Sequence, residues 1–275
     1  MSQVAIKWSG SKRSQAETIV NMFPKKIRNY YEPFLGAGHV FNRLLDSDVS
    51  VDRYILSDIN PDLIGLWNSI RSDYRYIIDK YYELWNELNK DDDLKRKKDF
   101  FKKIRTEFNQ DKDSGKFMFI MRTCTNGMPR YNNSGNFNNS FHVTRNGIMP
   151  EKLEKIVKDW NERLKHMHFD IHTSSYDYIY PHKDDFIYLD PPYAGTKGMY
   201  YGGINKENLW DWMSKLNCRY ALSYDGKVNE EDFTYSVPKH LYARHEYIKS
   251  GNSSFRRVIG KSKDSIVYES IYLNY

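Results

Sequence analysis

The sequence predicts an α/β protein in which one sheet domain is interrupted by a helical insert, and three observations indicate this. A strand, a glycine-containing turn and a helix follow one another over residues 30–45, which is typical of a parallel α/β sheet. Two apolar strands end in an acid, at Asp58 and at Asp190. The chain between these acids is too long for one or two βα units of ~30 residues each. The excess has the size of a small domain.

The elements follow in order from local patterns. Residues 14–23 predict a short helix with Ser14 as its cap, and residues 30–35 predict a strand. Further strands are predicted at 54–58, 186–189, 219–224 and 264–273, and helices at 39–45, from residue 60, at 76–88, at 94–108 and at 150–164. The predicted boundaries are 1–70 plus 166–275 for the sheet domain and 71–165 for the insert.

Composition excludes several classes of protein. The chain has 275 residues, 40% of them hydrophobic, and a formal net charge of +6. The longest apolar run is far below the ~18 residues of a membrane span. Because no apolar signal region opens the sequence, we expect a cytosolic (cytoplasmic) protein without a membrane partner. Cys124 and Cys218 are too few for a disulfide framework or a cysteine-rich zinc site. The 23 tyrosines and the basic excess suit both an ordinary core and a polyanionic partner.

A nucleotide site is predicted where the first strand meets its helix. Gly36 and Gly38 permit a tight turn and a close approach of the backbone to a ligand. Asp58, about 20 residues further on at the end of the next strand, suits the hydroxyls of a ribose. Phe41 stands where a dinucleotide fingerprint has its third glycine, which disfavours a nicotinamide oxidoreductase and leaves S-adenosylmethionine open.

A reacting site is predicted at Asp190-Pro191-Pro192-Tyr193, directly after an apolar strand. The two prolines fix φ and remove two N–H donors, so the carbonyl groups remain as acceptors in a rigid loop. A carboxylate and a neighbouring carbonyl can accept both hydrogens of an amino group, and Tyr193 offers a flat face to a planar base. The alternative is a rigid proline turn with a capping Asp.

These motifs belong to an ordered set, and with it the chain resembles the Dam-type DNA adenine methyltransferases, the alpha class of amino-methyltransferases. The set consists of KWSGSK at 7–12, EPFLGAG at 32–38, SDIN at 57–60, NG at 126–127, RYN at 130–132, GNFN at 135–138, DPPY at 190–193 and ALSYD at 221–225. The resemblance implies a Rossmann-like class I methyltransferase sheet, S-adenosyl-L-methionine as methyl donor without a metal, and a small helical target-recognition insert for double-stranded DNA.

Roles for individual residues follow from the same resemblance. The cofactor-binding residues it implies are Trp8, Lys12, Glu32, Phe34, Gly36, Gly38, Asp58 and Asp190. The catalytic residues are Asp190, Pro191, Pro192 and Tyr193, and the DNA-binding residues are Asn126, Arg130 and Asn132. Tyr176 is a weaker candidate for the border of the cofactor adenine.

The resemblance leaves the target and the partners open. Residues 137–142 depart from the FNVPFG-like stretch of the family, so GATC is not assumed as the recognised sequence. A cognate restriction endonuclease is a candidate partner, and we expect a monomer. The alternatives are an RNA or protein-amide methyltransferase and a DNA-binding relative without catalysis. The basic, Asn-rich insert favours duplex DNA over RNA or protein as the substrate. The presence of Asp58 and Asp190 favours an enzyme over a non-catalytic relative.

Overall fold

The computed structural model of the protein describes residues 3–165, 167–192, 204–228, 231–232, 236–250 and 267–275. These residues form two compact units. One comprises residues 12–58, 168–192, 204–228, 231–232, 236–250 and 267–275, and the other comprises residues 3–11, 59–165 and 167. No described helix combines the length and the apolar character that crossing a bilayer requires.

The sheet unit contains every described strand. In chain order these are β1 (Lys26–Glu32), β2 (Ser50–Asp58), β3 (Phe169–Thr173), β4 (Phe186–Leu189), β5 (Arg219–Val228), β6 (Glu231–Asp232), β7 (Arg244–Ser250) and β8 (Val267–Leu273). The same unit contains the helices α1 (Ala16–Asn21), α2 (His39–Leu45) and α8 (Lys206–Ser214).

The strands are ordered β3-β2-β1-β4-β5-β8-β7, with the short β6 paired to β5. β1 to β5 are mutually parallel, and β8 runs antiparallel to both of its neighbours. The strand order reverses between β1 and β4, which is where sheets of this kind bind ligands beyond their carboxyl ends. The predicted α/β class and Rossmann-like sheet are confirmed.

The strand β4 lies in the centre of the sheet, and its sequence is a continuous apolar run. Its four residues are all buried. Phe186 contacts Phe23 with ring centroids 4.6 Å apart, whereas Ile187 and Leu189 belong to a core cluster that includes Leu209 of α8. Successive side chains point to opposite faces of the sheet. Because both faces are covered, every position of the strand is buried and apolar.

The second unit is helical. It contains α3 (Pro61–Ser72), α4 (Tyr74–Asn89), α5 (Leu94–Asp111), α6 (Ser114–Thr123) and α7 (Pro150–Lys165). The first four of these helices each begin after an Asn or Asp whose side chain accepts backbone N–H groups of the first turn, namely Asn60, Asp73, Asp93 and Asp113. Trp67 of α3 and Trp160 of α7 pack edge to face, with centroids 4.9 Å apart.

The predicted insert, 71–165, lies within the helical unit, which also includes α3 and residues 3–11. α3 belongs there because it packs against α6 and α7. The N-terminal segment is tied to the same unit, since the Trp160 indole N–H donates to the carbonyl of Gln3 at 3.0 Å.

Several predicted boundaries are wrong for local reasons. β1 begins at Lys26 and ends at Glu32 instead of spanning 30–35, because Pro33 has no N–H to donate to a strand ladder. α1 begins at Ala16, and its N-cap position is Gln15 instead of Ser14. The predicted closing strand is observed from Val267, while residues 264–266 lie outside the described part of the chain.

Several elements were missed, among them α6, α8 and the edge strands β3 and β7. α6 is buried from Phe117 to Met121 on every side, so it lacks the polar face that makes a helical period visible. The edge strands β3 and β7 carry many charged and polar residues, which is typical of edges protected from pairing with another chain.

An irregularity between β5 and β8 depends on a glycine. The register of this pair shifts between Tyr224 and Lys227. A Cβ atom on Gly226 would lie 2.7 Å from the Cα of Glu269 on the facing strand. Any side chain at this position therefore collides with backbone, which cannot move as a flexible side chain could.

We expect Gly226→Ala to lower the free energy of unfolding by about 1–3 kcal/mol, because overpacking a close backbone contact costs this much. Gly65→Ala is the matched control, since its Cβ would meet only the Ser114 hydroxyl, at 3.7 Å, in ordinary contact. Urea unfolding of both variants measures the difference. Equal stability of the two variants would contradict the assigned contact.

Candidate functional site

Three acidic residues meet at one edge of the sheet. Glu32 ends β1, Asp58 ends β2, and Asp190 directly follows β4. Because β2, β1 and β4 are neighbouring parallel strands, their carboxyl ends lie side by side at the point where the strand order reverses. The two acids predicted from separate parts of the sequence, Asp58 and Asp190, thus belong to one edge, together with Glu32.

The predicted glycine turn joins β1 to α2 and is tied to the end of β2. Gly36 and Gly38 have φ values of 50° and 67°, in the left-handed region that favours glycine. The N–H of Leu35 donates to the carbonyl of Ser57 at 3.0 Å, and the N–H of Gly36 donates to Oδ2 of Asp58 at 3.1 Å. The turn and the Asp58 carboxylate are therefore held as one unit.

Lys12 supplies the positive charge of this edge. Its Nζ lies 2.7 Å from Oδ1 of Asp190 and 3.5 Å from Oε2 of Glu269, and its side chain is only 5% exposed. A buried ammonium group needs such partners, because an unpaired charge away from water is costly. The assignment of Lys12 to the cofactor site remains a prediction, and in the structure its ammonium group forms a direct ion pair with Asp190.

Glu32 is fully buried, and the Tyr30 hydroxyl donates to its Oε2 at 2.6 Å. Burial raises the pKa of Glu32 to about 8, and the negative charge of Asp190 adds to this rise. The Tyr30 hydrogen bond acts in the opposite direction but is the weaker effect. Glu32 thus holds its proton at neutral pH in the folded protein.

His39 stands at the first position of α2, immediately after the glycine turn. Burial lowers the pKa of His39 to about 4, with further lowering from the positive charges of Arg13 and Lys12. At neutral pH the imidazole is uncharged, so it adds no positive charge to the edge.

Aromatic rings border the same edge. Phe34, which the sequence assigns to the cofactor site, lies with its ring centroid 5.7 Å from that of Tyr176. Tyr176 in turn contacts Trp212 of α8 edge to face, at 5.2 Å. All three rings are half-buried. They form an apolar surface beside the acids.

The predicted reacting loop is described in part. Pro191 is buried and Pro192 is half-buried, directly after the Asp190 carboxylate. Tyr193 lies outside the described residues, so its assignment remains a prediction. Trp8 belongs to the helical unit, where the N–H of Ser9 donates to the carbonyl of Gly127 at 3.1 Å. Its assignment to the cofactor also remains a prediction.

The three predicted DNA-binding residues lie in the helical unit, on the irregular segment 124–142. Arg130 is exposed, and within the described part of the chain its guanidinium makes no hydrogen bond or ion pair. Asn126 has a left-handed backbone with φ of 58°, which Asn tolerates better than most residues. Oδ1 of Asn132 accepts the N–H groups of Ser134 and Asn136, at 3.0 and 2.9 Å, so this side chain also shapes the segment.

Sequence reasoning missed two partners of the acidic edge. Glu269 reaches Lys12 from β8, and Tyr30 precedes Glu32 by two positions on β1. The pairing of Glu269 with Lys12 could not be predicted, because the two residues are far apart in the sequence and no local pattern relates them. Tyr30 could have been identified, since residues i and i+2 of a strand lie on the same face.

Among the residues that the structure describes, no group of three or more His, Cys, Asp or Glu side chains is placed to hold a metal ion. The chemistry of the edge is that of carboxyl groups, one ammonium group, backbone amides and aromatic rings.

Comparisons with known proteins identify the family of the chain. The family model described as D12 class N6 adenine-specific DNA methyltransferase matches residues 8–264. The DNA adenine methylase of Haemophilus influenzae is 32% identical over 245 residues, which cover 84% of this chain and 81% of that protein. The type II methyltransferase M.MjaIII of Methanocaldococcus jannaschii is 31% identical over 202 residues, which cover 68% of each chain.

A third relative aligns over nearly its whole length. The DNA adenine methylase of Serratia marcescens is 28% identical over 271 residues, which cover 94% of this chain and 94% of that protein. The family match spans both compact units. The chain therefore belongs to the D12 class of N6 adenine-specific DNA methyltransferases.

Proposed function

We propose that this methyltransferase transfers a methyl group from S-adenosyl-L-methionine to the exocyclic amino nitrogen of an adenine flipped out of duplex DNA, and that Asp190 is its central catalytic residue. The observation that carries the proposal is the meeting of Glu32, Asp58 and Asp190 at the reversal of strand order, with Lys12 paired to Asp190.

The residues of the edge fit an adenosine-containing cofactor. Asp58 is fixed by the Gly36 N–H, so its carboxylate is oriented before any ligand arrives. Such a carboxylate suits a ribose diol, while the glycine turn lets backbone approach a ligand closely. The half-buried rings of Phe34 and Tyr176 suit an apolar ring system. S-Adenosylmethionine, when bound, supplies a methyl group on a sulfonium centre that is already strongly electrophilic.

Asp190 and the carbonyl of Pro191 have the task of orienting the target amino group. Each accepts one of its hydrogens, which directs the nitrogen lone pair toward the methyl donor. As the nitrogen takes the methyl group, the methyl–sulfur bond would break to leave a neutral thioether, and one N–H proton would pass to solvent. The Asp190 carboxylate would stabilise the positive charge that develops on the nitrogen. Positioning of this kind can contribute about 7–11 kcal/mol at most.

The target base must leave the duplex, because its amino group is otherwise held in a base pair. Unpairing costs a few kcal/mol, and stacking on an aromatic face returns about 1–3 kcal/mol. Tyr193 is the residue proposed for this stacking, because it directly follows the rigid prolines.

The charge states of the edge support the assignment of roles. Glu32 is buried and holds its proton, whereas Asp190 is paired with the Lys12 ammonium. Two neighbouring carboxylates would repel each other, so the proton on Glu32 leaves Asp190 as the charged member of this pair. Lys12 is thus proposed to position Asp190.

Sequence readout is proposed for Arg130, Asn126 and Asn132. An exposed arginine can contact guanine O6 and N7 together, and one such pair discriminates by about 1–3 kcal/mol. Double-stranded DNA as partner is supported by the family. A cognate endonuclease, a monomeric state and a cytoplasmic location remain predictions.

We expect Asp190→Ala to reduce methyl transfer by at least roughly 10²-fold, because an interaction made with developing charge is lost. The assay incubates the protein with labelled S-adenosylmethionine and duplex DNA, RNA or protein, and then maps modified adenines in genomic DNA. Wild-type protein should label duplex DNA in preference to RNA or protein. Asp190→Asn provides a second variant of near-identical shape.

Asp170→Ala is the matched control, since Asp170 is half-exposed and pairs with Arg53 on the surface of β3 and β2. It should leave activity unchanged. Full activity of both Asp190 variants, or label in RNA or protein alone, would overturn the proposal.

A second prediction concerns pH. The pKa of Glu32 rises from 4.5 to about 8 on folding, so between these values the folded state holds a proton that the unfolded state has released. Stability contributed by this group is therefore complete below pH 4.5 and declines as the pH rises toward 8. Glu32→Gln removes this decline. The free energy of unfolding of the variant, relative to that of the wild type, should therefore increase as the pH rises.

Urea unfolding from pH 5 to pH 8.5 measures this difference. Glu17→Gln, which alters an exposed pair with Arg43, is the control and should give a curve parallel to the wild type. A parallel curve for Glu32→Gln as well would show that the Glu32 proton is not held as described.

A further inference from the structure

We propose that Arg105 and Asn109 of α5 are positioning residues that fix the backbone of loop 124–142 and thereby determine how strictly the enzyme selects its DNA sequence. The inference rests on the proposed function, because it assigns the reading of DNA to this loop. It goes further, because the two residues need not touch DNA.

One stripe of α5 contacts the loop along its length. The stripe consists of residues at helical spacing, namely Phe101, Arg105, Phe108, Asn109 and Lys112. At its N-terminal end, the ring of Phe101 lies 5.6 Å from that of Phe141, and further along, the ring of Phe108 lies 6.3 Å from that of Phe137. The helix and the loop therefore run in opposite directions past each other.

The side-chain amide of Asn109 forms two hydrogen bonds to the loop backbone, one through its oxygen and one through its nitrogen. Its Oδ1 accepts the N–H of Phe137 at 2.8 Å, and its Nδ2 donates to the carbonyl of the same residue at 3.0 Å. This is the pair of bonds that a neighbouring β-strand would supply. Both bonds are to backbone atoms, so they fix the path of the loop whatever side chains it carries.

Arg105 bonds to the next two residues of the loop, Asn138 and Asn139. Its Nη1 lies 2.8 Å from the carbonyl oxygen of Asn139 and 3.3 Å from that of Asn138. The N–H of Asn138 donates to the carbonyl of Arg130 at 2.9 Å. Only one residue, Asn138, thus stands between the Arg105 guanidinium and the backbone of the exposed Arg130.

The middle of the loop, residues 131–135, is bonded to α3 and to the C-terminal end of α5. The Tyr131 hydroxyl donates to Oδ2 of Asp62 at 2.8 Å, and Lys112 Nζ lies 3.5 Å from the carbonyl oxygen of Gly135. Asn139 adds an internal tie, since its Nδ2 lies 2.9 Å from the carbonyl oxygens of both Thr125 and Met128. The backbone is therefore fixed on its inner side.

The outer side of the loop presents polar side chains to solvent. Exposed residues are Arg130, Asn132, Asn133, Ser134, Asn136 and Asn138. Side chains that read base edges must be held in the correct geometry, because a loosely held group also accommodates the wrong base. The bonds from α5 to the backbone supply this restraint, so their loss should weaken selectivity more than methyl transfer itself.

The test compares the sequences that each variant methylates in genomic DNA, mapped at base resolution. The measured quantity is the ratio of methylation at the preferred motif to that at sites differing by one base. We expect Asn109→Ala to lower this ratio roughly tenfold, within the range that one specific contact discriminates. Binding of S-adenosylmethionine, measured by calorimetry, should be unchanged.

Asn161→Ala is the matched control. Asn161 Nδ2 donates to the backbone carbonyls of Ile70 and Arg71, at 2.9 and 2.7 Å, so its removal loses two bonds of the same kind away from the loop. Its ratio should equal that of the wild type. Arg105→Lys is the second variant, because it retains the charge but loses the planar group that reaches two carbonyls.

An unchanged ratio in Asn109→Ala and Arg105→Lys would overturn the inference, as would an equal fall in Asn161→Ala. If Asn109→Ala does not fold, Arg105→Lys alone decides in the same way. Wild-type protein that methylates no adenine would end the proposed function and this inference together. That outcome differs visibly from methylation with unaltered selectivity, which ends the inference only.

Discussion

The charge at the carboxyl edge of the sheet is the constraint on which the site depends. Three neighbouring strands deliver Glu32, Asp58 and Asp190 to one place, and three carboxylates there would repel one another. Each is accommodated differently: Glu32 keeps its proton because it is buried, Asp58 accepts the N–H of Gly36, and Asp190 pairs with Lys12. Glu32 therefore differs in charge from the other two, and each of the three groups has a different partner, which is consistent with the separate roles proposed for them.

The central part of this arrangement could be predicted from sequence because its signals are local. An apolar strand running into DPPY, and a glycine turn followed by an acid at the next strand end, each occupy a short stretch of chain. The parallel order of such strands then places their ends at one edge. Asp58 and Asp190 were identified in this way, as was the α/β class.

The remainder depends on contacts between distant residues, which leave no local pattern. The pairing of Lys12 with Asp190 joins residues that are far apart in the sequence, and α6 lacks a polar face because it is buried all round. Arg105 of α5 likewise bonds to loop carbonyls far from it in the sequence, and several lysines of the helix form ion pairs within the helical unit. Its function as a support for loop 124–142 became visible only with the folded chain.

A crystal structure with bound S-adenosylhomocysteine tests the central claim most directly, because it measures where the acids lie relative to the reacting sulfur. The account predicts that Asp58 accepts hydrogen bonds from the ribose hydroxyls, and that the Asp190 carboxylate lies beside the thioether with space for one amino group between them. A ligand bound elsewhere, or a thioether remote from Asp190, would contradict it.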